Sequence, residues 1–282
     1  MLIRTYRDQF RAKLADLYDQ SEVDSFFYLL LDAYTDVKKH ELALDAQLVF
    51  SDSQLQLFNQ ALNLLLVHTP VQYIIGQTYF YDGVFKVTPS TLIPRPETEE
   101  LVDLIITQHQ FKTNLKIVDI GTGSGCIAIS LAKALKTAKV FAYDVSADAI
   151  AVAQVNAKLN QTQVDFVLQD ILAMQKLPEK YDIIVSNPPY VRQLEKTEIK
   201  ANVLEHEPHL ALFVTNDNPL IFYKKITELA CESLSDTGVL YFEINQYLGP
   251  ETVNMIQDFK VFKSVDLLKD FYGNDRIVVA KK

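Results

Sequence analysis

The sequence predicts an α/β protein: a mostly parallel sheet flanked by helices, with an N-terminal helical bundle joined to it by a β-hairpin. Three observations carry this. From about residue 115, short β-branched runs alternate with helical stretches, the pattern of βαβ units that close a parallel sheet. Residues 1 to about 75 instead repeat apolar residues at helical spacing. Between them, TYFYDGVFKV sets two aromatic and β-branched runs around Asp82-Gly83, a hairpin signal. The boundaries read 1–75 for the bundle, 76–95 for the hairpin linker and 96–282 for the sheet domain.

In the bundle, Val23, Phe26, Phe27, Leu30, Leu31 and Tyr34 form one apolar stripe, with Ser21 and Asp24 as a capping box. Leu55, Phe58, Leu62 and Leu65 form a second, with Ser51 as its cap. Both stripes read as core, and a bundle ahead of another domain also suits docking. The hairpin is expected near 77–88. Pro94 and Pro96 then hold the chain extended. ETEELVDLIITQ enters a helix whose acidic first turn suits the macrodipole.

The alternation follows. LKIVDIG, KVFAYDV, VDFVLQD, YDIIVSN, GVLYFEI, SVDLLK and RIVVAK read as strands. CIAISLAKALK, ADAIAVAQVNAKLN, LIFYKKITELACESL and PETVNMIQDF read as helices between them. Ligands of such sheets sit beyond the carboxyl ends of the strands.

Composition narrows the function. At 282 residues and 49% hydrophobic, the chain can bury a large core. A net charge of −9 repels a phosphate backbone and argues against coating nucleic acid. Cys126 and Cys231 lie far apart in apolar helical surroundings and match no metal spacing. They read as packing residues of a cytosolic protein. The five histidines form no metal-like pattern. MLIRTYRDQF carries charge where a secretory signal needs an apolar core. No apolar run approaches the roughly 20 residues that span a bilayer. The expectation is a cytoplasmic protein without membrane contact, and nothing demands more than a monomer.

The first chemical motif is VDIGTGSGCIAI, with Gly121, Gly123 and Gly125 between a strand and its helix. Glycine there permits positive φ and close approach to a ligand. The spacing is G-x-G-x-G rather than the dinucleotide fingerprint. Asp144 ends the next strand, where a carboxylate can accept both hydroxyls of a ribose. Asp170 ends the third and suits an adenine amino group, with Ile171 beside it to cover a face of the base. The set fits an adenosine-bearing cofactor with little need of a phosphate cradle. S-adenosylmethionine fits best. A nicotinamide dinucleotide competes but prefers the other glycine spacing.

The second motif is IIVSNPPYV, where a buried strand ends at the same edge. Asn187 offers a side-chain carbonyl, and Pro188 a main-chain carbonyl aimed by its fixed φ. Two such acceptors can grip both hydrogens of a planar NH₂ group, with Tyr190 stacking on or flanking its plane. An amide nitrogen is a poor nucleophile because its lone pair is delocalised. Acceptors on its hydrogens orient it and stabilise the positive charge that develops as a methyl group arrives. Alignment with the donor supplies the rest.

HTPVQYIIG, LIPRPETEELV, DIGTGSG, SNPPYV, EHEPHLAL and FYGNDRIV occur in that order. Together they resemble the bacterial-type peptide chain release factor glutamine N5-methyltransferases. The resemblance runs from about residue 69 to the C-terminus; the first 68 residues match only in being helical. It implies a class I methyltransferase (Rossmann-like) sheet with a last antiparallel strand, and a helical N-terminal domain that contacts the release factor. It implies methylation of the glutamine in that factor's Gly-Gly-Gln loop. By position, Gly121, Thr122, Gly123, Ser124, Gly125 and Asp144 would bind S-adenosylmethionine. Ile171 and Asn187 would line the cofactor. Asn187, Pro188, Pro189 and Tyr190 would hold the glutamine amide. Arg95 and Glu97 would brace the site, and Glu207 and Pro208 would flank the substrate channel. The chain departs from the family at Ile171, where a large aromatic is frequent, and at Asn245, where glycine is usual.

The sharpest rival is an N6-adenine methyltransferase of DNA or RNA, because adenine also presents a conjugated NH₂ to the same tetrad. The acidic charge and the hairpin with its PRPETE connector favour a protein substrate. A dehydrogenase would need the other glycine spacing, and a non-catalytic cofactor-binding module would not need Asn187.

Overall fold

The β-branched runs form strands and the striped segments form helices in the computed structural model, which describes residues 1–282. Two units result: Met1–Gly76 with Lys200–His206, and Gln77–Ile199 with Glu207–Lys282.

The first unit opens with α1 (Ile3–Leu14), α2 (Gln20–Tyr34), α3 (Lys39–Leu44), α4 (Asp52–Leu65) and α5 (Val71–Ile75). The predicted stripes face inward, and Val23, Phe27, Leu30, Leu31, Phe58, Leu62 and Leu65 are buried. Phe58 is the hub, with its ring 4.5 Å from Phe50 and 5.6 Å from Phe27. Ser51 caps α4 by accepting from the Gln54 amide at 3.2 Å, while the Gln54 side chain accepts from the Ser51 amide at 2.9 Å.

The capping box expected at Ser21 does not form. The helix begins one residue earlier, at Gln20, and its N-cap is Asp19. Asp24 instead accepts two hydrogen bonds from Arg11 of α1, at 2.5 and 2.9 Å. A bidentate charged partner competes better for a carboxylate than a backbone amide.

The second unit begins with a hairpin, β1 (Gln77–Phe80) and β2 (Gly83–Lys86), followed by α6 (Pro96–His109). The linker expected over 76–95 therefore divides: Gly76 belongs to the first unit, and 77–95 to the second. The hairpin is held by its own unit, with Phe80 and Phe85 in the sheet's core. Its turn also differs from the Asp-Gly expectation. Phe80 pairs with Gly83, so Tyr81 and Asp82 make the turn, and Tyr81 takes the positive φ of 53°. Gly83 is needed for proximity, since a Cβ there would lie 2.5 Å from the Asn160 side chain.

The sheet follows as β3 (Lys116–Ile120), α7 (Cys126–Ala134), β4 (Lys139–Asp144), α8 (Ala147–Leu159), β5 (Asp165–Leu168), β6 (Tyr181–Ser186) and β7 (Val191–Arg192). Next comes α9 (Ala201–His206), which belongs to the first unit. There the ammonium group of Lys200 lies 3.4 Å from Glu22, and the His206 ring is 2.8 Å from the Val67 carbonyl. The chain then continues with α10 (His209–Leu212), β8 (Phe213–Val214), α11 (Ile221–Ser233), β9 (Leu234–Glu243), α12 (Gly249–Gln257), β10 (Ser264–Lys269) and β11 (Asp275–Lys281).

Seven strands form the main sheet in the order β10-β11-β9-β6-β3-β4-β5. β9, β6, β3, β4 and β5 are parallel, and β11 runs antiparallel to both its neighbours. The last strand thus inserts reversed between its two predecessors. Order reverses after β3, so the ends of β3 and β6 border the crevice where open sheets bind ligands. Apolar cores cover both faces.

Candidate active site

The glycine turn leaves β3 at Ile120 and enters α7. Gly121, Gly123 and Gly125 all have positive φ. Gly125 is the N-cap of α7, where a Cβ would lie 2.8 Å from the Ile129 side chain and 3.1 Å from Ala153. Beneath the turn, buried Asp119 accepts from the Thr122 hydroxyl at 2.6 Å. Burial pushes this carboxyl up to about 7, against the Thr122 hydrogen bond. The Ser124 carbonyl accepts from Asn156 at 2.9 Å.

Gly121 and Gly123 line a cavity of about 280 Å³ at the carboxyl edge of the sheet. It also brings together Asp144, Asp170, Ile171, Asn187, Pro188, Pro189 and Pro208. Thr122, Ser124 and Gly125 do not line it; they build the turn from inside. Asp144 accepts from the amides of Gly123 at 2.8 Å and Ser146 at 2.9 Å. The carboxylate is thereby fixed against the glycine turn. Asp170 caps a short 3₁₀ turn by accepting from the Leu172 amide at 2.9 Å. Ile171 is buried beside it.

β6 delivers the second motif. Ser186 donates to the Ile120 carbonyl at 2.6 Å, tying the ends of β3 and β6. Asn187 Nδ2 donates to the Thr98 hydroxyl at 3.3 Å, and that hydroxyl donates to Glu243 at 2.6 Å. Tyr190 donates to the other oxygen of Glu243 at 3.2 Å. Tyr190 does not line the cavity; its ring packs into the core beneath the sheet edge. Burial raises Glu243 above the ordinary carboxylate range, opposed by the Thr98 hydrogen bond and the charge of Arg276. Asn245, two residues further along the chain, donates to the Tyr190 carbonyl at 3.0 Å and to Glu195 at 3.0 Å. The departure from glycine therefore adds a tether to the Asn-Pro-Pro-Tyr loop.

Arg95 pairs with buried Glu207 at 2.6 Å, and Glu207 also accepts from the Ile93 amide at 3.2 Å. This joins the segment before α6 to the segment carrying Pro208. Glu97 acts at a distance, its charge helping to raise Glu243. Cys126 is buried, which pushes its thiol up to about 12 and leaves it a packing residue.

Sequence reading missed Thr98, Glu243 and Asn156. The first two sit inside PRPETEE and GVLYFEI, where their letters suit a helix start and a strand end. Asn156 bridges the hairpin and the glycine turn, accepting from the Lys86 amide at 2.7 Å and donating to the Lys86 and Ser124 carbonyls at 2.9 Å. Asn156 is buried within α8 and Asn160 caps its C-terminus, four residues apart, so both side chains face the hairpin.

A sheet with its last strand reversed, and a cavity at the end of β3 between a glycine turn and strand-end carboxylates, defines a class I methyltransferase. Residues 98–211 match the methyltransferase small domain, and residues 5–76 match the PrmC N-terminal domain. The chain belongs to the release factor glutamine methyltransferase family. It is 53% identical to the release factor glutamine methyltransferase of Flavobacterium psychrophilum, over 99% of this chain and 98% of that one. The relative of the same name from Bacteroides thetaiotaomicron is 43% identical over 96% and 97%. Among solved structures, the T. thermophilus 16S rRNA N2 G1207 methyltransferase in complex with AdoMet and guanosine shares the fold. Its TM-score is 0.53 at 16% identity, covering 73% of this chain and 49% of that one.

Proposed function

We propose that this protein methylates the side-chain amide nitrogen of the glutamine in the Gly-Gly-Gln loop of peptide chain release factors, using S-adenosylmethionine. The observation that carries the reading is the fixed Asn187 amide at the cofactor cavity of a member of this family. The residues present fit the cofactor. Asp144 is held where a ribose can use its remaining acceptor capacity, and Gly121 and Gly123 have open space where a Cβ would stand. Asp170 and Ile171 suit the base, one polar and one apolar.

S-adenosylmethionine, when bound, would supply an electrophilic methyl group on a sulfonium, with the methyl–sulfur bond breaking and its electron pair staying on sulfur as S-adenosylhomocysteine. The chain's own contribution is electrostatic and geometric. Asn187 Nδ2 is committed to Thr98, so Oδ1 is the acceptor left to the cavity that Asn187 lines. Together with the Pro188 carbonyl it receives the two amide hydrogens. Those dipoles are set before the reaction and meet the positive charge as it develops on nitrogen. The methylated amide then loses one proton to solvent. Tyr190 contributes by holding the loop rather than by lining the cavity, fastened by Glu243 at its hydroxyl and Asn245 at its carbonyl.

No helix is long and apolar enough to cross a membrane, and a cytoplasmic location follows from the substrate. The test offers purified protein labelled cofactor with release factor, the same factor carrying alanine for that glutamine, DNA and RNA. Label in the unaltered factor alone supports the reading. Label in nucleic acid would support the adenine rival instead.

A further inference from the structure

We infer that Thr98 is a positioning residue for methyl transfer, setting the polarity of the Asn187 amide through a hydroxyl whose own direction is fixed by Glu243. The inference rests on the reading that Asn187 grips the substrate amide. An asparagine side chain presents an oxygen or an NH₂ group from nearly the same shape. Only the oxygen orientation accepts the substrate's hydrogens, so something must decide between them.

The decision is made two bonds away. Glu243 is buried and receives two hydroxyl donors, Thr98 at 2.6 Å and Tyr190 at 3.2 Å. A hydroxyl carries one proton. With that proton spent on Glu243, the Thr98 oxygen can only accept, and Asn187 must present Nδ2 to it, as found at 3.3 Å. The opposite orientation would set the Asn187 oxygen against the lone pairs of Thr98. The relay runs from the start of α6 to the ends of β6 and β9, all within one unit. Thr98 does not line the cavity, so it acts through Asn187 rather than by touching the substrate.

The experiment compares steady-state methylation of a release factor by Thr98→Val, Thr98→Ala and Thr98→Ser, with Asn187→Ala beside them. Thr98→Val keeps the shape and removes the hydroxyl. It should lower kcat about 10-fold, the scale of one lost hydrogen bond. KM for the factor and Kd for S-adenosylmethionine should stay within about twofold, because the cofactor contacts are untouched. Thr98→Ser should restore kcat. If Thr98→Val fails to fold, the Thr98→Ser and Thr98→Ala pair reads the same oxygen, and their kcat values should differ by the same factor. A large loss in Asn187→Ala with normal kcat in Thr98→Val and Thr98→Ala would overturn the positioning role alone. Equal loss in Thr98→Ser and Thr98→Ala would also overturn it, assigning Thr98 to packing. Near-normal turnover in Asn187→Ala would overturn both this role and the amide-gripping reading.

Discussion

The Thr98 hydroxyl donates to the buried carboxylate of Glu243 at 2.6 Å, across 145 residues of sequence. That contact joins the start of α6 to the end of β9 at the point where Asn187 leaves β6. A local motif thus depends on a distant pair for its polarity.

Asn187→Ala removes one of two acceptors for the reacting amide. Turnover on a release factor should fall about 10²- to 10³-fold, the scale of losing one preorganised transition-state dipole. Affinity for S-adenosylmethionine should change far less. Single-turnover kinetics with calorimetric cofactor titration separates the two, and equal losses in both would contradict the assignment.

Asp144→Ala should show the reverse pattern. It removes the acceptor for the amides of Gly123 and Ser146 as well as the proposed ribose contact. Cofactor affinity should drop about 10- to 100-fold, the range for charge-assisted hydrogen bonds. Unchanged affinity by calorimetry would remove Asp144 from the cofactor site.

Much of this was legible in sequence, for physical reasons. Ile183, Ile184 and Val185 read as a buried strand and are fully buried. The glycine turn and the Asn-Pro-Pro-Tyr end are local motifs whose chemistry lies within a few residues. What stayed hidden was non-local. The Asp82-Gly83 signal named the hairpin but not its turn, because Gly83 answers to Asn160, the residue that caps α8 much later in the chain. Asp24 stands where it could cap its own helix, yet Arg11 on a different helix holds it. The return of 200–206 to the first unit leaves no mark in hydrophobic periodicity.

Asn156→Ala tests the bridge beneath the glycine turn. Three main-chain groups, the Lys86 amide and the carbonyls of Lys86 and Ser124, would lose their partner. Burying unpaired polar groups costs about 1–3 kcal/mol each before relaxation, so a loss of about 2–4 kcal/mol is expected in urea unfolding. A change below about 0.5 kcal/mol would show that the turn stands without it.

His109 sets an acid limit on stability. Its Nε2 lies 2.8 Å from the Tyr241 hydroxyl, which donates to Gln108 at 2.7 Å, so Nε2 carries the proton. Nδ1 is buried without a partner. Burial, helped by Lys112, pushes His109 down to about 4, from an ordinary 6.5. Above the ordinary value neither folded nor unfolded chain holds the extra proton. As pH falls from 6.5 towards 4, only the unfolded chain gains it, and stability is lost. The cost at pH 5 relative to pH 7 is about 2 kcal/mol. His109→Gln should shrink the pH 5 to pH 7 difference in unfolding free energy by that amount. An unchanged difference would place the acid sensitivity elsewhere.

The most direct test of the amide-gripping site is a crystal structure of this protein with a release factor and S-adenosylhomocysteine. Asn187 Oδ1 and the Pro188 carbonyl should each lie about 3 Å from the glutamine side-chain nitrogen, with Asn187 Nδ2 still on Thr98. An Asn187 side chain turned away from that nitrogen, or a glutamine bound outside the cavity of Gly121 and Asp144, would contradict it.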